Sequence, residues 1–367
     1  MGKFLNRKVN VIFLMLGNSC NMNCSYCMQH DLVNHSLSSS INPDIYDFIK
    51  EVSSESNGVR IQFYGGEPLL YFNAIKEVVD NLKDTNVKFS CLSNGLAVSD
   101  EIVDFFNSRD IPFSVSWDGD TVLDTRHFDV FSDKNPQKDK LLNIKLLGLS
   151  AVLSAKAYPN DIVSGFMRLD NEYYAKYNYH LRFNTDLIFN TGGLSDDLVK
   201  VDYDRVEREM FDLISWYLEK RTSFDPFPDN KTYAKYIFID LLVERISNFY
   251  CDKSFVSNNY CVCGNGYSVL NMDLDGKLYP CHNTSDSCGS IYDSYFSYLN
   301  RIIGGDKVIA RKSECDKCVA VSYCRGGCKL IPEHCMEDYC NLRKAYFLPV
   351  ISCLQKYGSL IVGDKNA

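Results

Sequence analysis

The sequence predicts an α/β chain: a partial (β/α)6 parallel barrel with a small cysteine-rich C-terminal domain of hairpins, loops and short helices. Three observations carry this expectation. Apolar runs with strand character alternate with helix-periodic segments through the first half. Six strands occur, too few for a closed eight-stranded barrel. From residue 250 onward the chain turns to short segments, glycine turns and cysteines.

The strands are expected at 9–16 (VNVIFLML), 59–64, 87–92, 111–117, 148–154 and 180–189. Between the first four lie helical patterns. The segment 43–54 opens with Pro43 and sets Ile45, Phe48, Ile49 and Val52 on one face; 73–82 and 100–107, the latter capped by Ser99, behave alike. Strand, helix, strand repeated in this way reads as right-handed βαβ units. Residues 120–147 are polar and poorly periodic, the pattern of a surface excursion. Two long helical patterns, 202–221 and 231–248, bridge to the cysteine-rich part. The expected units are 1–200 (barrel), 201–249 (bridging helices), 250–345 (cysteine-rich domain) and 346–367 (tail or helix).

Net charge is −8 with no dense Lys/Arg stripe, which argues against a nucleic-acid partner. No apolar stretch reaches the length of a membrane span, and the first strand lacks the flanks of a secretory signal. A cytoplasmic location is the expectation. Sixteen cysteines then need a reason, since clustered thiols in a reducing compartment bind metal or do redox work. Three lie at 20–27 and eleven between Cys251 and Cys340, whereas Cys91 and Cys353 stand alone and read as buried hydrophobes.

In parallel α/β folds reactive groups gather at the C-terminal ends of strands. Cys20, Cys24 and Cys27 follow strand one, GGEP (Gly65 to Pro68) strand two, SNG (Ser93 to Gly95) strand three and SWDG (Ser116 to Gly119) strand four. Four special turns therefore open on one rim. Three thiolates from one loop suit a cubane with one iron left open, or else a zinc site completed by His30 or His35. The glycines of GGEP permit close backbone approach, and Glu67 offers a carboxylate.

CxxxCxxC with Tyr26 before its last cysteine, followed by GGEP, resembles the radical S-adenosylmethionine enzymes. The resemblance implies a 4Fe–4S cluster on Cys20, Cys24 and Cys27, with S-adenosylmethionine chelating the open iron and yielding a 5′-deoxyadenosyl radical. It places Gly65, Gly66 and Glu67 at the methionyl end and Tyr26 near the adenine. Ser93, Asn94, Ser116 and Asp118 fall at the ribose and methionyl side, and Arg126 at the carboxylate. A reductant such as flavodoxin or ferredoxin is implied as a partner.

The C-terminal spacing, Cys263-x12-Gly276-x4-Cys281 and then Cys315-x2-Cys318-x5-Cys324-x3-Cys328, exceeds the needs of one zinc ribbon. Gly276 reads as a hairpin turn presenting Cys281. This arrangement resembles the SPASM extension, which implies two auxiliary 4Fe–4S clusters and so three in all. The first would use Cys263, Cys281, Cys328 and an upstream thiol, Cys261 or Cys251, or keep that iron open to substrate. The second would use Cys315, Cys318, Cys324 and a late cysteine, with Cys340 better placed than Cys335. His282 follows Cys281 where an aspartate serves as proton acceptor in sulfatase-maturing relatives; it is a candidate general base or a structural histidine.

The resemblance points to a peptide maturase: hydrogen abstraction from a ribosomally synthesised precursor peptide, then an oxidative C–C, C–S or C–O crosslink. Sulfatase-maturase-like Ser/Cys oxidation, peptide epimerisation and a non-catalytic metal scaffold are the alternatives. Only eight residues precede the first strand, so leader recognition would fall to the bridging helices, a separate recognition protein or the core peptide itself. The aromatic run YYAKYNYH (173–180) suits either a substrate groove or a packed surface.

Overall fold

The computed structural model describes all residues except 1–8, 34–36, 38–39, 57, 224–227, 252–265, 267, 305–314, 316, 325 and 362–367. Its centre is one nine-stranded sheet. Strands β1 (Val11–Met15), β2 (Val59–Tyr64), β3 (Val87–Ser93), β4 (Phe113–Ser116), β5 (Leu147–Leu153) and β6 (Arg182–Leu187) run parallel, each beside its predecessor. Their bounds fall within two residues of those expected, because the strands are short apolar or alternating segments closed by turn residues.

Helices α1 (Asp44–Glu55), α2 (Phe72–Leu82) and α3 (Asp100–Ser108) form the first crossovers. Each buries one apolar stripe against the sheet: Ile45, Phe48, Ile49 and Val52 from α1, and Ile75, Val78, Val79 and Leu82 from α2. The Ser99 side chain accepts from the Ile102 N–H and caps α3.

The excursion expected at 120–147 is corrected. It contains α4 (Val122–Arg126) and α5 (Lys138–Leu142), and it buries Val122, Arg126, Val130, Phe131, Leu141 and Leu142. Helices of five residues are too short to show a period in the sequence, which is why the segment looked like surface.

Helix α6 (Pro159–Tyr177) ends at Asn178 in the left-handed conformation. The aromatic run at its end packs instead of lining a groove. Tyr173 is buried and donates to the carbonyls of Ile144 and Lys145 (2.8 and 3.0 Å), and His180 stacks between Tyr174 and Tyr233. After the short α7 (Asp196–Val199), α8 (Tyr203–Arg221) and α9 (Tyr233–Cys251) pack with the C-terminal helix.

The C-terminal part adds β7 (Val269–Asp273), β8 (Lys277–Tyr279) and β9 (Gly289–Ser290), then α10 (Tyr295–Gly304), α11 (Val321–Cys324) and α12 (Met336–Ile361). As expected, Gly276 turns the β7–β8 hairpin, at φ +83°. The hairpin also joins the main sheet: β7 lies parallel to β1 on the side opposite β2, with Val11 facing Val269. Cys91 and Cys353 are buried among apolar neighbours. No helix among the described residues is long and apolar enough to cross a membrane.

Candidate active site

The rim at the ends of β1 to β4 encloses a cavity of about 280 Å³. Cys20, Cys24 and Cys27 line it together with His282 and Asn283. Of the nine residues expected to hold cofactor, all but Asp118 reach this cavity. Asp118 is fully buried behind Arg126.

The cysteine loop is pinned from below. Gly66 N–H donates to the Gly17 carbonyl (2.9 Å) and Glu67 N–H to the Ser19 carbonyl (2.8 Å). A Cβ on Gly66 would stand 2.3 Å from the Ser19 carbonyl oxygen, and one on Gly65, at φ +142°, 2.3 Å from that of Gly17. These glycines are therefore required by chain-to-chain approach, whatever else binds. The Ser19 N–H donates to the Tyr71 hydroxyl (3.0 Å), which holds the loop from α2's side.

Glu67 is also tied down. Its carboxylate accepts from Ser93 Oγ (2.7 Å), Asn94 N–H (2.7 Å) and Leu69 N–H (3.0 Å), joining the second turn to the third. Burial raises its pKa, and these three donors oppose the rise. Asn94 in turn donates to Asn21 Oδ1 (2.7 Å) on the cysteine loop.

Asp118 anchors the fourth turn. Its carboxylate accepts from Thr125 Oγ1 (2.7 Å), Val152 N–H (2.8 Å), Arg126 Nε (3.0 Å), Arg126 Nη2 (3.3 Å) and the Tyr26 hydroxyl. Arg126 directs its remaining nitrogen, Nη1, to Cys24 Sγ at 3.8 Å, and its guanidinium lies over the Tyr26 ring. The acid expected near the ribose thus orients an arginine, and that arginine faces a thiol. Burial pushes Cys24 up to about 11 while Arg126 pulls it down; burial likewise raises Cys20 and Cys27. Metal binding here must displace protons.

His282 stacks on Phe13 (4.4 Å) with its edge to Tyr64 (4.5 Å), and its Nδ1 lies 3.2 Å from Asn271 Oδ1. Burial lowers its pKa to about 4, so the ring is neutral at pH 7. Sequence reasoning missed Gln29, whose Nε2 donates to the His282 carbonyl (2.8 Å), and Asn283, whose Nδ2 approaches Met28 Sδ (3.6 Å). Both clamp the cysteine loop to the hairpin. Only their nearness in sequence to Cys27 and Cys281 pointed to them.

A second thiol set is assembled away from this rim. Cys315, Cys318, Cys324 and Cys340 line one small cavity of about 40 Å³ with Met336 and Arg343. Cys335 is absent from it, packed with Ile331, Met336 and Tyr339. Cys328 lies against that apolar cluster, and Cys281 is buried beside the main site. Cys261 and Cys263 lie outside the described residues, as does the side chain of Cys251.

Both thiol sets fit iron–sulfur clusters by donor chemistry: sulfur only, with no histidine or carboxylate among the second four. Among the described residues, no three His, Cys, Asp or Glu side chains close on one point as ligands of a single ion do. A cubane asks for a wider ring, since each thiolate binds a different iron.

Residues 14–127 match the model of the radical SAM superfamily, so the chain carries a radical SAM domain. It is 30% identical over 112 residues to an uncharacterized protein of Methanocaldococcus jannaschii, a match spanning 38% of that relative and 29% of this chain. It is 21% identical to the radical SAM cyclopropyl synthase TigE of Paramaledivibacter caminithermalis, over 88% of this chain and 68% of that one. It is 23% identical to a cysteine-type anaerobic sulfatase-maturating enzyme of Clostridium novyi, over 95% of this chain and 96% of that one. The solved structure of anSMEcpe with bound AdoMet and Cp18Cys peptide shares the fold, with a TM-score of 0.66 at 20% identity, covering 94% and 98% of the two chains.

Proposed function

We propose that this radical SAM domain serves an enzyme that modifies a peptide or a protein segment, forming an oxidative crosslink in a ribosomally made precursor. One observation carries the reading. Three thiols, the GGEP turn and the SNG and SWDG turns meet around one cavity that His282 and Asn283, from the thiol-rich C-terminal part, also line.

When bound, a 4Fe–4S cluster with S-adenosylmethionine would supply one-electron chemistry and a carbon radical able to take hydrogen from substrate. Cys20, Cys24 and Cys27 would hold that cluster. Arg126, fixed by Asp118, places a positive charge on Cys24 and steadies the thiolate. Tyr26, Gly65, Gly66, Ser93, Asn94 and Ser116 shape the cofactor wall, with Glu67 bracing two of its turns. The Gln29 clamp sets the distance from this wall to His282. The neutral imidazole of His282 offers a hydrogen-bonding edge to substrate without a charge of its own.

The anSMEcpe complex with the Cp18Cys peptide supports a peptide substrate for this chain. Ser or Cys oxidation of the sulfatase-maturating kind is the second reading, favoured by the near full-length match to the Clostridium novyi enzyme. The presence of His282 where that group carries an aspartate weighs toward the first.

Anaerobic reconstitution with S-adenosylmethionine and a reductant should give 5′-deoxyadenosine, and a Cys24→Ala variant should not. Equal background in both would end the enzyme reading. Three clusters predict about twelve irons per chain; four, or stoichiometric zinc, would remove the auxiliary centres. With the true substrate, mass loss of two hydrogens and a new covalent link between residues supports crosslinking. The same loss confined to one Ser or Cys supports the second reading.

A further inference from the structure

We infer that Arg343 is the fixed charge partner of the four-thiol centre and sets its affinity for an electron. The inference rests on the proposed cluster at Cys315, Cys318, Cys324 and Cys340.

Arg343 follows Cys340 by three residues on α12, so both project from one face of the helix. Both line the four-thiol cavity. The arginine is 7% exposed, which leaves its charge poorly screened by water. Guanidinium cannot lose its proton in a protein, so this charge is permanent. Aromatic rings fix it in place: its carbon lies 4.7 Å from the Tyr339 ring centre and 5.8 Å from those of Phe189 and Phe347. Lys344 lines the same cavity but is exposed, so solvent weakens its effect.

Phe189 gives the arrangement a direction. It lines the main cavity on one side and meets both Arg343 and Tyr339 (5.8 Å) on the other. Arg343 thus lines the four-thiol cavity and meets, at Phe189, the wall of the active-site cavity. A cluster held by four thiolates is anionic and becomes more so on reduction. A buried cation beside it favours the reduced form, as charge and hydrogen bonding near cluster sulfurs are known to do. Arg343 is a positioning residue in this account, acting through the cluster and not on substrate.

The test uses full-length protein carrying Cys24→Ala, reconstituted with iron and sulfide, and an EPR-monitored reductive titration. Arg343→Met should keep the iron content and lower the midpoint potential of the four-thiol centre. At the parent midpoint, the ratio of reduced to oxidised cluster should fall at least tenfold, about 59 mV for one electron. Arg343→Lys should restore most of the shift. An unchanged potential in Arg343→Met overturns the inference, and so does equal iron loss from the Met and Lys variants, which would mark a packing role. Adding Cys318→Ala to the parent separates the two levels. If it removes no iron, the cluster reading fails, whatever Arg343 does.

Discussion

Replacing Asp118 by Asn strips the counter-charge from Arg126 while keeping the shape of the side chain. Asp118 is fully buried and Arg126 is 7% exposed, so water cannot take over the lost interaction. Removing one partner of such a pair costs about 3–5 kcal/mol, because the other is left as an uncompensated buried charge. The new amide also turns an N–H2 toward donors that now meet an oxygen, so the upper half of the range is expected. With ordinary unfolding entropy per residue over 367 residues, this lowers Tm by about 5–6.5 °C. Scanning calorimetry of metal-free protein reads it, with Arg126→Gln and the double variant alongside. The double variant should lose less than the two singles together, by at least about 1 kcal/mol. A Tm for Asp118→Asn within about 1 °C of wild type, or additive singles, would refute the buried-pair argument.

Gly66→Ala should abolish iron loading at the first three cysteines, since its methyl meets a backbone carbonyl and the cysteine loop must move; iron analysis after reconstitution checks this. Cys340→Ala should remove one cluster's iron and Cys335→Ala should remove none; equal losses would contradict the thiol grouping around Arg343. Tyr173→Phe should cost about 1–2 kcal/mol by denaturant melt, because its hydroxyl serves the buried Ile144 carbonyl and the half-buried one of Lys145; no change would refute this.

The sheet was legible because its strands are apolar or alternating segments ended by turns, and the rim was legible because those turns carry unusual residues. What escaped were relations across the chain. Nothing near Asp118 announces that Val152 N–H and the Tyr26 hydroxyl converge on it, and a carboxylate after a strand reads equally well as ligand or brace. Arg126 sits in a stretch whose short helices hide their own burial. The choice between Cys340 and Cys335 turned on helix phase. Cys340 and Arg343 share a face of α12 and line one cavity, whereas Cys335 precedes the helix and does not reach that cavity. The hairpin around Gly276 was evident from its turn, but not its partner, since β1 shows no sign of needing a second neighbour.

That second neighbour has a bearing on when the protein can acquire metal. Val11 and Val269 face each other across the sheet, yet Val269 is made long after Val11. Until then β1 is an open edge, and the loop bearing Cys20, Cys24 and Cys27 hangs from its end without the Gln29 clamp to His282. The clamp forms only when the hairpin docks on β1. Iron delivered during synthesis would meet three thiols in a slack loop. Iron delivered after release would meet them at a set distance from the C-terminal wall. Topology thus makes the final setting of the three-thiol loop wait for the hairpin.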